Sequence, residues 1–110
     1  MEQKTQSVKA NGIRFSVNDN GKEIGRAYLY IMNNDLHDQP FGLLEDVFID
    51  DGYRSKGIAS HLVQDILKTA KDKQCYKLIA TSRMSRPKVH ELYKHLGFKE
   101  RGYEFRVDFV

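Results

Sequence analysis

Polar and apolar positions alternate near the start of the chain. "IRFSV" (13–17) puts Ile13, Phe15 and Val17 on one side of an extended backbone and Arg14 and Ser16 on the other, as a half-buried strand does. "NDNG" (18–21) follows, and Asn20-Gly21 predicts a hairpin because both residues tolerate positive φ. A second strand, rich in Tyr and Ile, runs from about Glu23 to Ile31, and the polar "NNDLHDQP" (33–40) reads as a loop. "FGLLEDVFI" (41–49) predicts a third strand, apolar on both faces except at Glu45 and Asp46.

From residue 58 the period changes. Ala59, Leu62, Val63, Ile66, Leu67 and Ala70 recur at the three-and-four spacing of a helix with one buried face. "YKLIAT" (76–81) predicts a strand, and Pro87 suits the first turn of a second helix. That helix buries Val89, Leu92, Tyr93 and Leu96, and Gly97 is placed to cap it. "FKERGYEFRVDFV" (98–110) closes the chain in strand-like alternation, interrupted by Gly102. The order is β-β-β-α-β-α-β(β), an antiparallel meander leading into a β-α-β crossover whose flanking strands should be parallel neighbours.

Composition narrows the class. A chain of 110 residues suits a single domain, 1–110, with one modest core. With 40% apolar and 30% charged residues it lies far from the disordered range. No apolar run is long enough for a membrane span, and the first residues lack the apolar stretch of a signal peptide. We expect a cytoplasmic protein without a membrane partner. The single cysteine, Cys75, excludes an internal disulfide and fits a reducing compartment. Beside the apolar run that follows it, Cys75 reads as a small buried hydrophobe rather than a catalytic thiol. A net charge of +3 permits an anionic partner, but the basic residues are spread along the chain. Nucleic acid therefore ranks last among the partners considered, since no aromatics interleave with a basic patch.

The chemistry concentrates in "DGYRSKGIASHLV" (51–63), at a strand-to-helix junction. Ligands of β-α units bind beyond the carboxyl end of a strand, and a helix N-terminus offers unpaired N–H groups and positive partial charge. Gly57 and Ala59 keep side chains out of the way of an approaching anion, while Arg54 and Lys56 add full charges. The spacing matches neither the Walker A loop nor the dinucleotide fingerprint. Read alone, these residues fit a glycine-containing turn with solvated charges as well as they fit a phosphate loop.

Arg54-Ser55-Lys56-Gly57-Ile58-Ala59 resembles the Gln/Arg-x-x-Gly-x-Gly/Ala pyrophosphate loop of the GNAT superfamily of acetyl-CoA-dependent N-acetyltransferases. "LLEDVFIDDGYRSKGIASHLV" is similar to that family's strand-loop-helix block, and "HELYKHLGF" (90–98) to its second block, a helix bearing a tyrosine and ending in Gly-Phe. The resemblance covers residues 12 to 110. It implies an α/β (α+β) fold, with a mixed, mostly antiparallel central sheet and two main helices. About a dozen residues precede the first strand, where the family usually places a strand and two helices that wall the acceptor site. Residues 5–10 have room for a short strand but not for the helices. The acceptor side is thus expected to be open, or completed by a second subunit in a homodimer.

The resemblance also implies roles. Backbone groups of Val47, Phe48 and Ile49 would pair with the pantetheine arm of acetyl-CoA as though it were another strand. N–H groups of Ser55, Lys56, Gly57, Ile58, Ala59 and Ser60 would cradle the pyrophosphate, with Lys56 or Arg54 reaching phosphate oxygens. Tyr93 would protonate the departing thiolate, although its place on an apolar helix face, taken by itself, is more often that of a core residue. His90, one turn earlier, reads as structural or solvent-facing. Acetyl-CoA enters as co-substrate, and no metal is expected. Many family members carry an asparagine where this chain has Arg86. "SRPKVHELY" resembles a recurrent Arg-Pro variant.

Glu45 and Asp46 stand in an otherwise apolar strand, where charge is costly to bury unless it is used. Successive strand residues face opposite sides, so the two cannot share a pocket face without a bulge. By parity, Glu45 sides with Leu43, Val47 and Ile49. In the family a strand carboxylate of that parity often serves as general base, and "LEDVFI" resembles a segment of diamine and spermidine acetyltransferases whose acids face the polyamine. The structural alternative is a salt-bridged pair at a sheet splay. Two functions follow: an N-acetyltransferase acting on a primary amine (a small amine, a polyamine or a protein lysine), or a non-catalytic acyl-CoA-binding module of the same fold.

Overall fold

The computed structural model describes all residues, 1–110. Two compact units divide it, Met1–Ala80 and Thr81–Val110.

In the first unit, β1 (Asn11–Asp19), β2 (Lys22–Met32), β3 (Phe41–Ile49) and β4 (Leu78–Ala80) form one sheet in the order β1-β2-β3-β4. The first two pairings are antiparallel and the third is parallel, as a β-α-β crossover requires. Asn20 (φ 50°) and Gly21 (φ 81°) both take the left-handed conformation, so the β1–β2 hairpin closes on the turn their side chains favour. The crossover helix α1 (Ile58–Asp72) packs on β2 and β3. Its buried residues Leu62, Val63, Ile66 and Ala70 meet Ala27, Leu29 and Ile31 of β2 with Leu44 and Ile49 of β3. Each larger side chain in that interface contributes roughly 1.5–3 kcal/mol from burial.

Gln74 (φ 64°) stops α1. Its N–H donates to Lys71 O at 2.9 Å and that of Cys75 to Ala70 O at 3.0 Å, so the last carbonyls of the helix are satisfied by a left-handed cap. Cys75 is half-buried, and burial pushes its thiol pKa up, the opposite of an activated nucleophile.

The second unit contains α2 (Pro87–His95), with Pro87 in its first turn. Gly97 (φ 100°) ends it, and the Phe98 N–H donates to Tyr93 O at 2.9 Å. Val89, Leu92, Tyr93 and Leu96 are half-buried rather than fully buried. Here the structure departs from the alternation read in the sequence. Residues 99–110 form no strand, and Phe105 and Phe109 are each 91% exposed. The Arg106–Asp108 ion pair (2.8 Å) is a contact of extended chain, but a strand requires a hydrogen-bonded neighbour and this segment has none. Residues 1–10 likewise form no element, and β4 is confined to three residues.

Candidate active site

The geometry of the site begins with a fault in β3. Arg26 pairs with Phe48 and Tyr28 with Glu45, so Ala27 alone faces two residues, Asp46 and Val47. That is a β-bulge, and Asp46 sits in it with φ 52°, a conformation that Asp tolerates better than most side chains. The extra residue reverses the parity of everything after it. Ile49 pairs with Gly25 and is buried on the α1 side, together with Leu44. Simple alternation puts Ile49 on the face of Glu45, and the bulge moves it to the other. Glu45 instead shares the opposite face with Leu43 and Phe48 and with Arg26, Tyr28 and Tyr30 of β2.

The two neighbouring carboxylates have different fates. Asp46 accepts two hydrogen bonds from Arg26, from Nε at 2.9 Å and Nη2 at 3.2 Å, and this pairing holds its carboxyl below the usual range. The Glu45 side chain, half-buried, makes no hydrogen bond or ion pair within the protein. Arg14 is likewise occupied, binding both oxygens of Glu23 at 2.6 and 2.8 Å and donating from Nε to the Tyr28 hydroxyl at 3.1 Å. Arg14 lowers the Glu23 pKa by that hydrogen bonding. Tyr28 and Tyr30 stack with ring centroids 5.9 Å apart. Glu45 is thus the one acidic side chain of this group left without a cation. The period-two spacing of Arg26, Tyr28 and Tyr30 in "RAYLY" is the sequence signal of their shared face.

Beyond Leu44 and Ala80, β3 and β4 no longer pair, so the stretch from Glu45 to Ile49 has β2 on one edge only. The loop that follows is tied down at several points. Asp50 N–H donates to Ile24 O (2.8 Å), the Tyr53 hydroxyl to Asp19 (2.6 Å), and Arg54 Nε to Ile49 O (2.9 Å). The bond to Asp19 raises the Tyr53 pKa and keeps the phenol protonated. Arg54 also pairs with Asp51 at 2.8 Å, whereas the Lys56 ammonium lies over the Tyr53 ring at 5.5 Å. Of the two loop cations, Lys56 is the one without a carboxylate.

Ser55 (φ 64°) and Gly57 (φ 79°) turn the backbone twice into the left-handed region just before α1. Such alternation gathers N–H groups into an anion-binding concavity. From Ser55 to Ser60 only the Lys56 N–H, in the turn at Arg54–Ser55, is directed back at the protein, and the first helical bond runs from His61 N–H to Gly57 O at 3.1 Å. A Cβ built on Gly57 would meet no protein atom within 4 Å. The glycine suits its left-handed backbone conformation, and no protein atom fills the space its Cβ would take. These groups fit a pyrophosphate.

Tyr93 belongs to the second unit, where its ring lies 5.1 Å from that of Phe98. His90 Nε2 lies 2.8 Å from Arg83 O and braces the turn leading into α2, the structural role read for it. No group of three or more His, Cys, Asp or Glu is placed to hold a metal ion, and no helix is long and apolar enough to cross a membrane.

Comparison with known proteins bears on the family and the fold. The chain is 32% identical over 89 residues to a glucosamine 6-phosphate N-acetyltransferase of Trypanosoma brucei brucei, covering 80% of this chain and 58% of that protein. It is 32% identical over 73 residues to an aminoglycoside N(6')-acetyltransferase type 1 of Acinetobacter genomosp. 13, covering 66% of this chain and 49% of the other. The chain thus spans about half the length of these relatives. The crystal structure of an acetyltransferase from Trypanosoma brucei superposes with a TM-score of 0.77 at 28% identity, over 91% of this chain and 69% of that one. The Acetyltransferase (GNAT) family model matches residues 2–98, which take in the bulged strand, the donor-rich loop and α2. On this match and the 32% identity to the first of these relatives, the chain belongs to the GNAT acetyltransferase family.

Proposed function

We propose that this chain transfers an acetyl group from acetyl-CoA to a primary amine by direct attack within a ternary complex. The observation that carries the reading is the run of N–H groups from Ser55 to Ser60, all but that of Lys56 without a protein acceptor, beside the open edge of β3. Those donors, with Lys56, suit the pyrophosphate of CoA, and the β3 edge from Val47 to Ile49 suits the amide-bearing pantetheine arm. Arg54 acts indirectly, since its guanidinium holds Ile49 O and Asp51.

Glu45 serves the acceptor. An alkyl amine of pKa ~10.4 is neutral in only about one molecule in two thousand at pH 7. The carboxylate attracts the cation and takes its proton, directly or through water, freeing the lone pair to attack the thioester carbonyl. Tyr93 gives its phenolic proton to the sulfur as the carbon–sulfur bond breaks. The two named relatives act on amino sugars, and we extend that acceptor class to this chain. The proposal includes a homodimer. β1 and β4 are edge strands with one partner each and offer the surfaces for it.

The test is release of CoA thiol over a panel of amino sugars, their 6-phosphates, aminoglycosides, polyamines and lysine peptides. Turnover with an amino sugar supports the reading in full. Tight CoA binding with no acceptor in the panel would favour the non-catalytic binding module.

A further inference from the structure

The bulge places an aspartate where the backbone favours glycine, and an arginine from the next strand grips it with two hydrogen bonds. The grip extends further. Arg26 lies 4.9 Å from the centre of the Phe48 ring, and Arg54 approaches the same ring at 5.6 Å. Arg54 in turn holds Ile49 O and Asp51, at the root of the donor-rich loop. A continuous line of contacts thus runs from Asp46 through Arg26, Phe48 and Arg54 to the pyrophosphate loop. Glu45 is the residue immediately before its starting point.

We propose that Arg26 is a positioning residue, forming with Asp46 a latch that fixes the bulge, aims Glu45 and ties it to the donor loop, so that Asp46 is not a second carboxylate for the acceptor. This rests on the reading of Glu45 given above. It also refines the acceptor class. With Asp46 neutralised by Arg26, a single carboxylate faces the substrate, which suits an amine with one cationic centre near the reacting nitrogen. A polyamine, which presents a second cation to a second acid, is disfavoured. The segment's likeness to polyamine acetyltransferases therefore stops at the residue types.

Arg26→Met tests the latch, since it keeps an apolar stem against Phe48 and removes the fork. We expect kcat to fall about tenfold or more while CoA affinity by calorimetry stays within about threefold. Arg26→Lys should recover only part of the loss, because an ammonium does not reproduce a bidentate guanidinium. Asp46→Gly suits the positive φ but lacks the carboxylate. Its kcat should match that of Arg26→Met, and the double variant should be no worse than either single change.

An unchanged kcat in Arg26→Met would overturn the proposal. So would a tenfold rise in acceptor KM at constant kcat in Asp46→Gly, which would place Asp46 on the substrate. Should Arg26→Met fail to fold, Arg26→Lys and Asp46→Gly make the same test. Amide hydrogen exchange supplies a readout independent of turnover. Exchange over residues 45–49 should quicken about tenfold in both Arg26→Met and Asp46→Gly while α1 keeps its protection. Unchanged exchange there removes the latch whatever the activity. Faster local exchange in a protein whose wild type acetylates nothing upholds the latch and defeats the acetyl-transfer reading instead.

Discussion

Gly57→Glu strikes the feature that carries the functional reading. Gly57 has φ 79°, and a Cβ there would meet no protein atom within 4 Å. The cost to folding is therefore conformational, about 1–2 kcal/mol for a side chain in the left-handed region, with no clash added. The cost to binding is larger. The new side chain puts a negative charge in the middle of the run of N–H groups from Ser55 to Ser60, and its carboxylate repels a pyrophosphate. A hydrogen bond to a charged group contributes about 1.5–3 kcal/mol. Loss of one or two, with the repulsion, amounts to roughly 3 kcal/mol or more, which is at least ~10²-fold in Kd. Calorimetric titration of CoA and of pantetheine, which lacks the pyrophosphate, measures this directly. CoA affinity should collapse while pantetheine affinity stays nearly unchanged. Gly57→Ala, adding bulk without charge, should fall between. Wild-type CoA affinity in a folded Gly57→Glu variant refutes the assignment of the loop.

Tyr93→Phe keeps the ring against Phe98 and removes only the hydroxyl, so turnover should fall about 10²-fold with CoA affinity held; wild-type turnover would return Tyr93 to a packing role. Glu45→Gln should be rescued as pH rises toward the pKa of the amine, because the acceptor then loses its proton unaided, and a pH–rate profile with uniform loss would assign Glu45 to binding instead. The carboxyl of Asp46 is depressed by Arg26, so its contribution to stability is complete above the unfolded aspartate pKa of 3.8 and is lost as pH falls through the lower folded value. Thermal melts of wild type and Asp46→Asn should accordingly differ at pH 6 and converge in strong acid. Burial raises the Cys75 thiol pKa, so iodoacetamide should alkylate it more slowly at pH 8 than a free thiol of ordinary pKa, and rapid labelling of the native protein would contradict its half-buried placement.

Several features were legible because they depend on neighbours in the chain. Asn20-Gly21 makes its turn from its own φ preferences, and Gly97 ends α2 for the same reason. The apolar stripe of α1 identifies its buried face, since a helix closes its hydrogen bonds within itself and its period is set locally. The loop from Ser55 to Ser60 announced its donors through a glycine and a helix start. Strand facing is different in kind. Ile49 lies with Leu44 rather than Glu45 because β3 takes one extra residue opposite Ala27, and that register is set by hydrogen bonds to β2, some twenty positions away. The same remote partner separates the roles of two adjacent acids, since Arg26 binds Asp46 and leaves Glu45 unpaired. Alternation in 98–110 predicted a strand, yet a strand exists only where another chain segment accepts its bonds. Sequence alone determined the helices, the turns and the donor-rich loop, whose conformations are local. Tertiary structure decided which face each strand residue takes and which carboxylate is available, because both depend on pairing between segments far apart in the chain.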